Sequence, residues 1–257
     1  MQNIEETIWD VVVIGGGASG MMTAGVAGSL GKKVLLLEKN AELGKKLLIT
    51  GGGRCNVTNA EEDLRKLLSN FKDAEQFLYS SFAQFDNKST INFFNSHGME
   101  TKVEAKNRVF PISNSAKSVW NVLLEYMKSG NVTVASNCTV ISLNKNENKI
   151  ESVTLKDKRT IKAKSFVLST GGKSRPETGS TGDGFNWLKD LGHNVVEPVA
   201  SLVPIKTKTE WVEKLQGVNA DDVKITILQN NEKQGQTRGK ILFTHFGLSG
   251  PLILNSA

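Results

Sequence analysis

Near the start of the chain, the β-branched run Val11-Val12-Val13-Ile14 is stopped by Gly15-Gly16-Gly17-Ala18-Ser19-Gly20. This junction restricts the fold more than any other part of the sequence. A continuous apolar run suits a strand covered on both faces, so Asp10 to Gly15 reads as a buried strand. A helix is predicted from Ala18 to Leu30, and Val34–Leu37 is a second short strand parallel to the first, which makes a right-handed βαβ unit of α/β class. In G-x-G-x-x-G, Gly15 permits the tight turn, Gly17 lets backbone approach a pyrophosphate without a Cβ, and Gly20 lets helix and strand pack closely. The free N–H groups and dipole at the helix start favour an anion there. Glu38 ends the second strand eighteen residues past Gly20. Its carboxylate can accept hydrogen bonds from both hydroxyls of a ribose and would repel a 2′-phosphate. The pattern predicts an ADP-containing dinucleotide; the bland alternative is a glycine-rich turn with no ligand.

Composition narrows the setting. A chain of 257 residues with 39% apolar residues holds one large domain or two modest ones and can fill a core, so disorder is excluded as its main state. Lysine and arginine (32) exceed aspartate and glutamate (26), giving +6. The excess is scattered without a basic cluster, so a nucleic-acid partner is not expected. Cys55 and Cys138 stand far apart, which indicates neither a disulfide framework nor a zinc site and suits a reducing, cytoplasmic setting. Residues 11–31 carry no charge and are long enough to span a bilayer. Gly15, Gly16, Gly17 and Gly20 interrupt them, each costing a helix about 1 kcal/mol relative to alanine, and the acidic start at Glu5, Glu6 and Asp10 is unlike a signal peptide. A membrane segment is not expected.

After Leu37 the sequence reads as a loop rich in glycine and lysine. From Glu61 to His97, Leu64, Leu67, Leu68 and Phe71, then Phe77, Leu78 and Phe82, then Ile91, Phe93 and Phe94 recur at helical spacing and are expected to be packing faces. Another helix is predicted from Ser115 to Lys128, with Val119, Trp120, Leu123, Leu124 and Met127 inward. Residues 132–168 are extended, with Asn144–Asn148 as a polar turn. The lysines at 156, 158, 162 and 164 read as one solvated, edge-protecting sheet face. Short strands near Leu202–Ile205, Val223–Leu228 and Ile241–Phe243 predict a β-rich second unit, giving domains 1–197 and 198–257. The apolar end, Pro251 to Ala257, reads as an unfinished unit.

Gly44-Lys45-Lys46 and the segment Gly51 to Asn59 follow the βαβ unit directly and supply backbone N–H groups, cations and amides. A flavin needs such donors, because its N1–C2=O edge gains negative charge on reduction. Arg54, Asn56 and Thr58 are therefore candidates to face flavin or substrate. His245 is a candidate proton donor because histidine titrates near neutrality, or else a structural residue of a turn. Arg54, Asn56 and His245 form the catalytic expectation. Asp183, at the start of a predicted helix, either binds the cofactor or caps that helix. Cys55 is either a redox thiol or a small buried filler, and with no neighbouring cysteine it cannot form a dithiol. No metal site is expected.

The segments VVVIGGGASGMMTA, GKKLLITGGGRCNVTN, LSTGG followed by TGSTGDGF, and LFTHFGLSGP together resemble the bacterial NAD(P)/FAD-dependent oxidoreductases of the BaiN/YhiN type, also called aminoacetone oxidase family FAD-binding proteins. The second and fourth segments are specific to that group; the first and third are shared with many two-dinucleotide-fold flavoproteins. The resemblance implies a Rossmann-like FAD-binding domain interrupted by an inserted β-rich domain, with NAD(P)H as electron donor and a small organic molecule as substrate. It implies that Gly15, Gly17, Ala18, Ser19 and Gly20 hold the pyrophosphate and Glu38 the ribose. Thr170, Gly171 and Gly172 would lie beside the cofactor, and Val140 would offer main-chain contacts to adenine. Lys39, Lys46, Gly52, Arg54, Asn56, Thr58 and Asp183 complete the expected FAD set. Members of the group continue past the LSGP segment, so a truncated chain is expected. An NAD-only dehydrogenase and a catalytically silent nucleotide-binding fragment are the rival readings.

Overall fold

In this computed structural model, which describes residues 4–147 and 149–256, the glycine-terminated run is β1 (Ile8–Ile14), followed by α1 (Ala18–Ser29) and β2 (Val34–Leu37). Next come α2 (Lys45–Ile49), a tight turn over Thr50–Gly53, and the two-residue β3 (Thr58–Asn59). Helices α3 (Leu64–Ser69), α4 (Glu75–Gln84) and α5 (Asn87–Ser96) lead to the hairpin of β4 (Thr101–Glu104) and β5 (Arg108–Pro111), then to α6 (Ala116–Ser129). The chain returns through β6 (Thr133–Ala135), β7 (Val140–Asn146), β8 (Lys149–Leu155) and β9 (Thr160–Leu168) before α7 (Asp183–Asp190). The chain divides into two compact units at Val195/Val196. The second contains β10 (Ile205–Lys206), β11 (Asn219–Gln229), β12 (Glu232–Thr244), β13 (Gly247–Ser249) and α8 (Pro251–Leu254).

The main sheet has the order β6-β2-β1-β9-β8-β7. Its first four strands run parallel, with Val12 beside Leu35 on one side and Phe166 on the other; β8 and β7 add an antiparallel meander. Alternation along β1 and β2 accounts for two cores. Val13, Val34 and Leu36 pack with Met21 and Ala24 of α1 and with Val119, Leu123 and Met127 of α6. Val12, Ile14, Leu35 and Leu37 pack on the other face with Val153, Leu155, Ile161 and Trp187. Each such aliphatic side chain, removed from water, contributes about 1.5–3 kcal/mol. Helix α1 is built of small residues, and that brings α6 close: a Cβ on Gly25 would lie 2.4 Å from the Tyr126 ring. Ser115 caps α6 by accepting from Lys117 N–H.

Several expectations change. The segment after β2 is not all loop, because α2 forms there. Helix α4 has no buried residue, and Phe77 is 82% exposed, so its apolar spacing does not mark a core face. Lys162 and Lys164 lie on β9, which has β1 and β8 as neighbours; they are exposed, and Lys164 pairs with Asp10, so they protect no edge. Strand β7 runs to Asn146, shortening the expected Asn144–Asn148 turn, of which Asn148 lies outside the described residues. In the second unit β11 and β12 form one long hairpin with bulges after Ala220 and Ile227, far longer than the short strands expected.

Candidate functional site

A cavity of about 670 Å³ opens where β1, β2 and β9 end, the place where ligands bind parallel α/β sheets. Gly15 N–H donates to Leu37 O (2.8 Å) and turns the chain across the strand ends at φ +104°. A Cβ on Gly20 would sit 1.8 Å from Gly15 O, whereas a Cβ on Gly17 would meet nothing within 4 Å, although Gly17 lines the cavity. Gly17 is also the N-cap of α1, with no side-chain cap, and the first turn holds no acid. The N–H groups that open any helix lack intrahelical partners, so the positive end of this helix faces a cradle where a Cβ would otherwise stand. Lys45 and Lys46 line the same cavity, and neither forms an ion pair among the described residues.

Glu38 is buried and fixed by three donors at 2.7 Å: Gly16 N–H on Oε2, and Asn40 N–H and Nδ2 on Oε1. Each carboxylate oxygen can accept twice, so Oε2 retains capacity for one further donor. Asn40 also reaches forward, donating from Nδ2 to Thr178 O (3.1 Å). Lys39 Nζ binds Thr181 Oγ1 (2.6 Å) and Asp183 Oδ2 (2.8 Å). The strap 178–183, which supplies Thr178, Gly179, Ser180 and Asp183 to the cavity wall, is thus tied to the end of β2. Burial pushes the Asp183 carboxyl up, but its bonds from Lys39 and Thr181 and the Lys39 charge outweigh this and hold it below the ordinary Asp range. The N-cap of α7 is Gly182, with no side-chain cap. Asp183 therefore does not cap the helix; its carboxylate is taken by Lys39 and Thr181.

Of the expected cofactor residues, Gly15, Gly17, Ala18, Ser19, Glu38, Lys39, Lys46, Asn56, Val140, Thr170, Gly171 and Asp183 line this cavity; Gly20, Gly52, Arg54, Thr58 and Gly172 do not. Gly20 lies behind the glycine turn, against Gly15 O. Thr58 pairs in β3 with Val109. The Arg54 guanidinium turns outward to Glu104 and Asn114, and Asn56 spends its Nδ2 on Thr58 O and Val109 O (2.8 and 2.9 Å). His245 belongs to the second unit, in the turn between β12 and β13, with its ring 4.9 Å from Phe246. Cys55 lines the cavity, and burial pushes its thiol up despite a hydrogen bond with Thr50, which argues for a filler rather than a reactive thiolate. Lys45, read with Gly44 and Lys46 as a source of donors and cations, does line the cavity. Sequence reasoning missed Asn40, Cys138, the Thr178–Ser180 strap and Trp187. It also read Phe93, Phe94, Val119 and Leu123 as packing alone, whereas all four line the cavity as well. Among the described residues no group of three or more His, Cys, Asp and Glu could hold a metal, and no helix is long and apolar enough to cross a membrane.

Comparison with known proteins gives a match of residues 9–244 to the family described as the HI0933-like protein Rossmann domain. The chain is 33% identical over 247 residues to an Escherichia coli protein named ribosomal RNA dihydrouridine synthase, covering 96% of this chain and 60% of that protein. It is 32% identical over 240 residues to a Clostridium scindens 3-dehydro-bile acid delta(4,6)-reductase, covering 93% and 57%. The chain thus spans about three fifths of the length of these relatives. Among solved structures it resembles the open conformation of a flavocytochrome c3 fumarate reductase, with TM-score 0.54 and 21% identity over 83% of this chain and 47% of that one. That likeness bears on fold alone.

Proposed function

The chain belongs to the HI0933-like Rossmann-domain family, and on that premise we propose that it is the FAD-binding part of a flavin-dependent oxidoreductase. One observation carries the reading: a single cavity joins an uncapped helix start, a side-chain-free position at Gly17 and a buried strand-end carboxylate with an acceptor site to spare. The residues fit the group. Backbone N–H groups of Gly17 to Ser19, with Lys45 and Lys46, would hold a pyrophosphate, and Glu38 would take a ribose hydroxyl. When bound, the flavin would supply two-electron hydride chemistry.

The chain's own residues would bind and orient. Glu38, pinned by Gly16 and Asn40, would hold the ribose; the Lys39–Asp183 strap closes the wall beside it; Thr170 and Gly171, just past β9, would border the rest of the cofactor. Reduced nicotinamide is the proposed donor, since a flavin that hydrogenates a substrate must regain two electrons and a proton, and a hydride donor supplies them in one step. The relatives named as a dihydrouridine synthase and a reductase support the reducing direction. We propose a small organic substrate rather than RNA, because the +6 excess is scattered along the sequence without a basic cluster. The setting we propose is the cytoplasm.

The test is the absorbance spectrum of the purified protein with chromatography of the small molecules released on denaturation. FAD released in near-equal amount to protein supports the proposal. A colourless protein that fails to take up FAD but binds NADH would replace it with an NAD-only site. Bleaching of bound flavin by NADH or NADPH tests the donor, and turnover of uridine-containing RNA in place of small unsaturated ketones would overturn the substrate class.

A further inference from the structure

We propose that Arg54 is a positioning residue that clamps the segment 50–57 to the β4–β5 hairpin and so sets the cavity wall carrying Cys55 and Asn56. The clamp stands on geometry alone; its consequence for a cofactor rests on the reading above. Gly51, Gly52, Gly53 and Cys55 all hold left-handed backbone, at φ 55°, 66°, 83° and 57°, and a cysteine adopts that conformation only where its surroundings impose it. Packing does not hold the tip of the segment, since a Cβ on Gly52 or Gly53 would meet nothing within 4 Å.

The Arg54 side chain does. Its Nε and Nη2 donate to Asn114 Oδ1 at 3.2 and 2.9 Å, Nη2 also donates to Glu104 Oε1, and its guanidinium carbon lies 4.2 Å from the centre of the Phe110 ring. The Arg54 bond holds the Glu104 carboxyl below its ordinary range, burial opposes it, and Lys102 adds to the lowering. Two residues on, Asn56 Nδ2 reaches Val109 O on the same hairpin. Cys55, between them, donates its N–H to Thr50 O (3.0 Å) and lines the cavity. Residues on both sides of Cys55 therefore grip the hairpin, and Cys55 is held between them. Lysine could reach Glu104 but has neither the fork for two acceptors nor the plane that stacks on Phe110.

The test uses Cys55 as a reporter in the cofactor-free chain. Cys138→Ser leaves Cys55 the sole thiol, and its reaction rate with dithiobis(nitrobenzoate) reads how often the segment opens. Arg54→Ala is expected to raise that rate about tenfold or more, Arg54→Lys by an intermediate factor, and the melting temperature is expected to fall by less than about 4 °C. If Arg54→Ala does not fold, the double variant Glu104→Ala with Asn114→Ala removes both polar acceptors while keeping Arg54, and must give the same acceleration. An unchanged Cys55 rate in a folded variant overturns the clamp. Loss of FAD affinity by tenfold or more with an unchanged Cys55 rate also overturns it, making Arg54 a direct cofactor ligand. Faster Cys55 labelling in a chain whose parent takes up no FAD sustains the clamp and removes the cofactor reading instead.

Discussion

Substituting Gly17 and Gly20 of the glycine turn separates folding from the proposed binding. Gly17 sits at φ −77°, ψ −175°, extended backbone that valine adopts readily, and its Cβ would meet no protein atom within 4 Å. For Gly17→Val, the weaker N-cap preference costs up to about 1 kcal/mol. The smaller loss of unfolded-chain entropy returns about 0.4–1 kcal/mol. The two offset, so the melting temperature should move by less than about 4 °C. Binding is different, because the new side chain would occupy the place proposed for the pyrophosphate. Overpacking of about 1–3 kcal/mol and the loss of at least one charge-assisted bond of about 1.5–3 kcal/mol predict FAD binding weakened by at least about sixtyfold. At Gly20 a Cβ would fall 1.8 Å from Gly15 O, and backbone cannot yield there without dismantling the turn. Gly20→Ala should therefore lose several kcal/mol of stability before binding can be measured. Thermal melts and flavin-fluorescence titration on the same preparations read both quantities. Retained FAD affinity in Gly17→Val would refute the placement of the pyrophosphate, and a Gly20→Ala variant as stable as its parent would refute the packing argument.

Glu38→Gln keeps one acceptor oxygen for three donors and sets an amide N–H₂ against an N–H, so it should destabilise the chain by about 1–3 kcal/mol and weaken FAD binding; a melt with unchanged midpoint would count against the assignment. The Asp183 carboxyl is held below its ordinary range, so the stability it contributes is present above the unfolded value of about 3.9 and is lost as pH falls through the lower folded value. Carbon NMR of Asp183 should show that low value, and Lys39→Met should move it up by leaving burial less opposed; no movement would break the strap assignment. Phe77→Ser, at a side chain that is 82% exposed, should change stability by less than about 0.5 kcal/mol, and a larger loss on urea melting would mean that α4 packs on its apolar face.

What could be read from the sequence divides by the range of the interaction. The glycine turn after β1 was legible because each of its requirements is met within six residues: Gly15 needs a positive φ, Gly20 needs no Cβ, and α1 begins between them. The buried strands were legible for the same reason, since a parallel strand covered on both faces must be apolar at every position. Helical periodicity was less informative, because it shows that a face is apolar and not what covers it. In α5 and α6 the stripe meets a core and also a cavity; in α4 it buries no residue.

Side-chain partners were least legible. Arg54 looked like a group for flavin or substrate because it stands among donors, yet its partners are Glu104, Phe110 and Asn114, brought to it by a hairpin about fifty residues away in sequence. Asn40 meets Thr178 in the same way. A guanidinium satisfies itself with whatever carboxylate and ring the topology delivers, so its identity alone cannot separate a ligand from a clamp. The neighbouring backbone can: a left-handed cysteine beside three left-handed glycines needs an anchor, and the arginine at their junction is the side chain long enough to supply one.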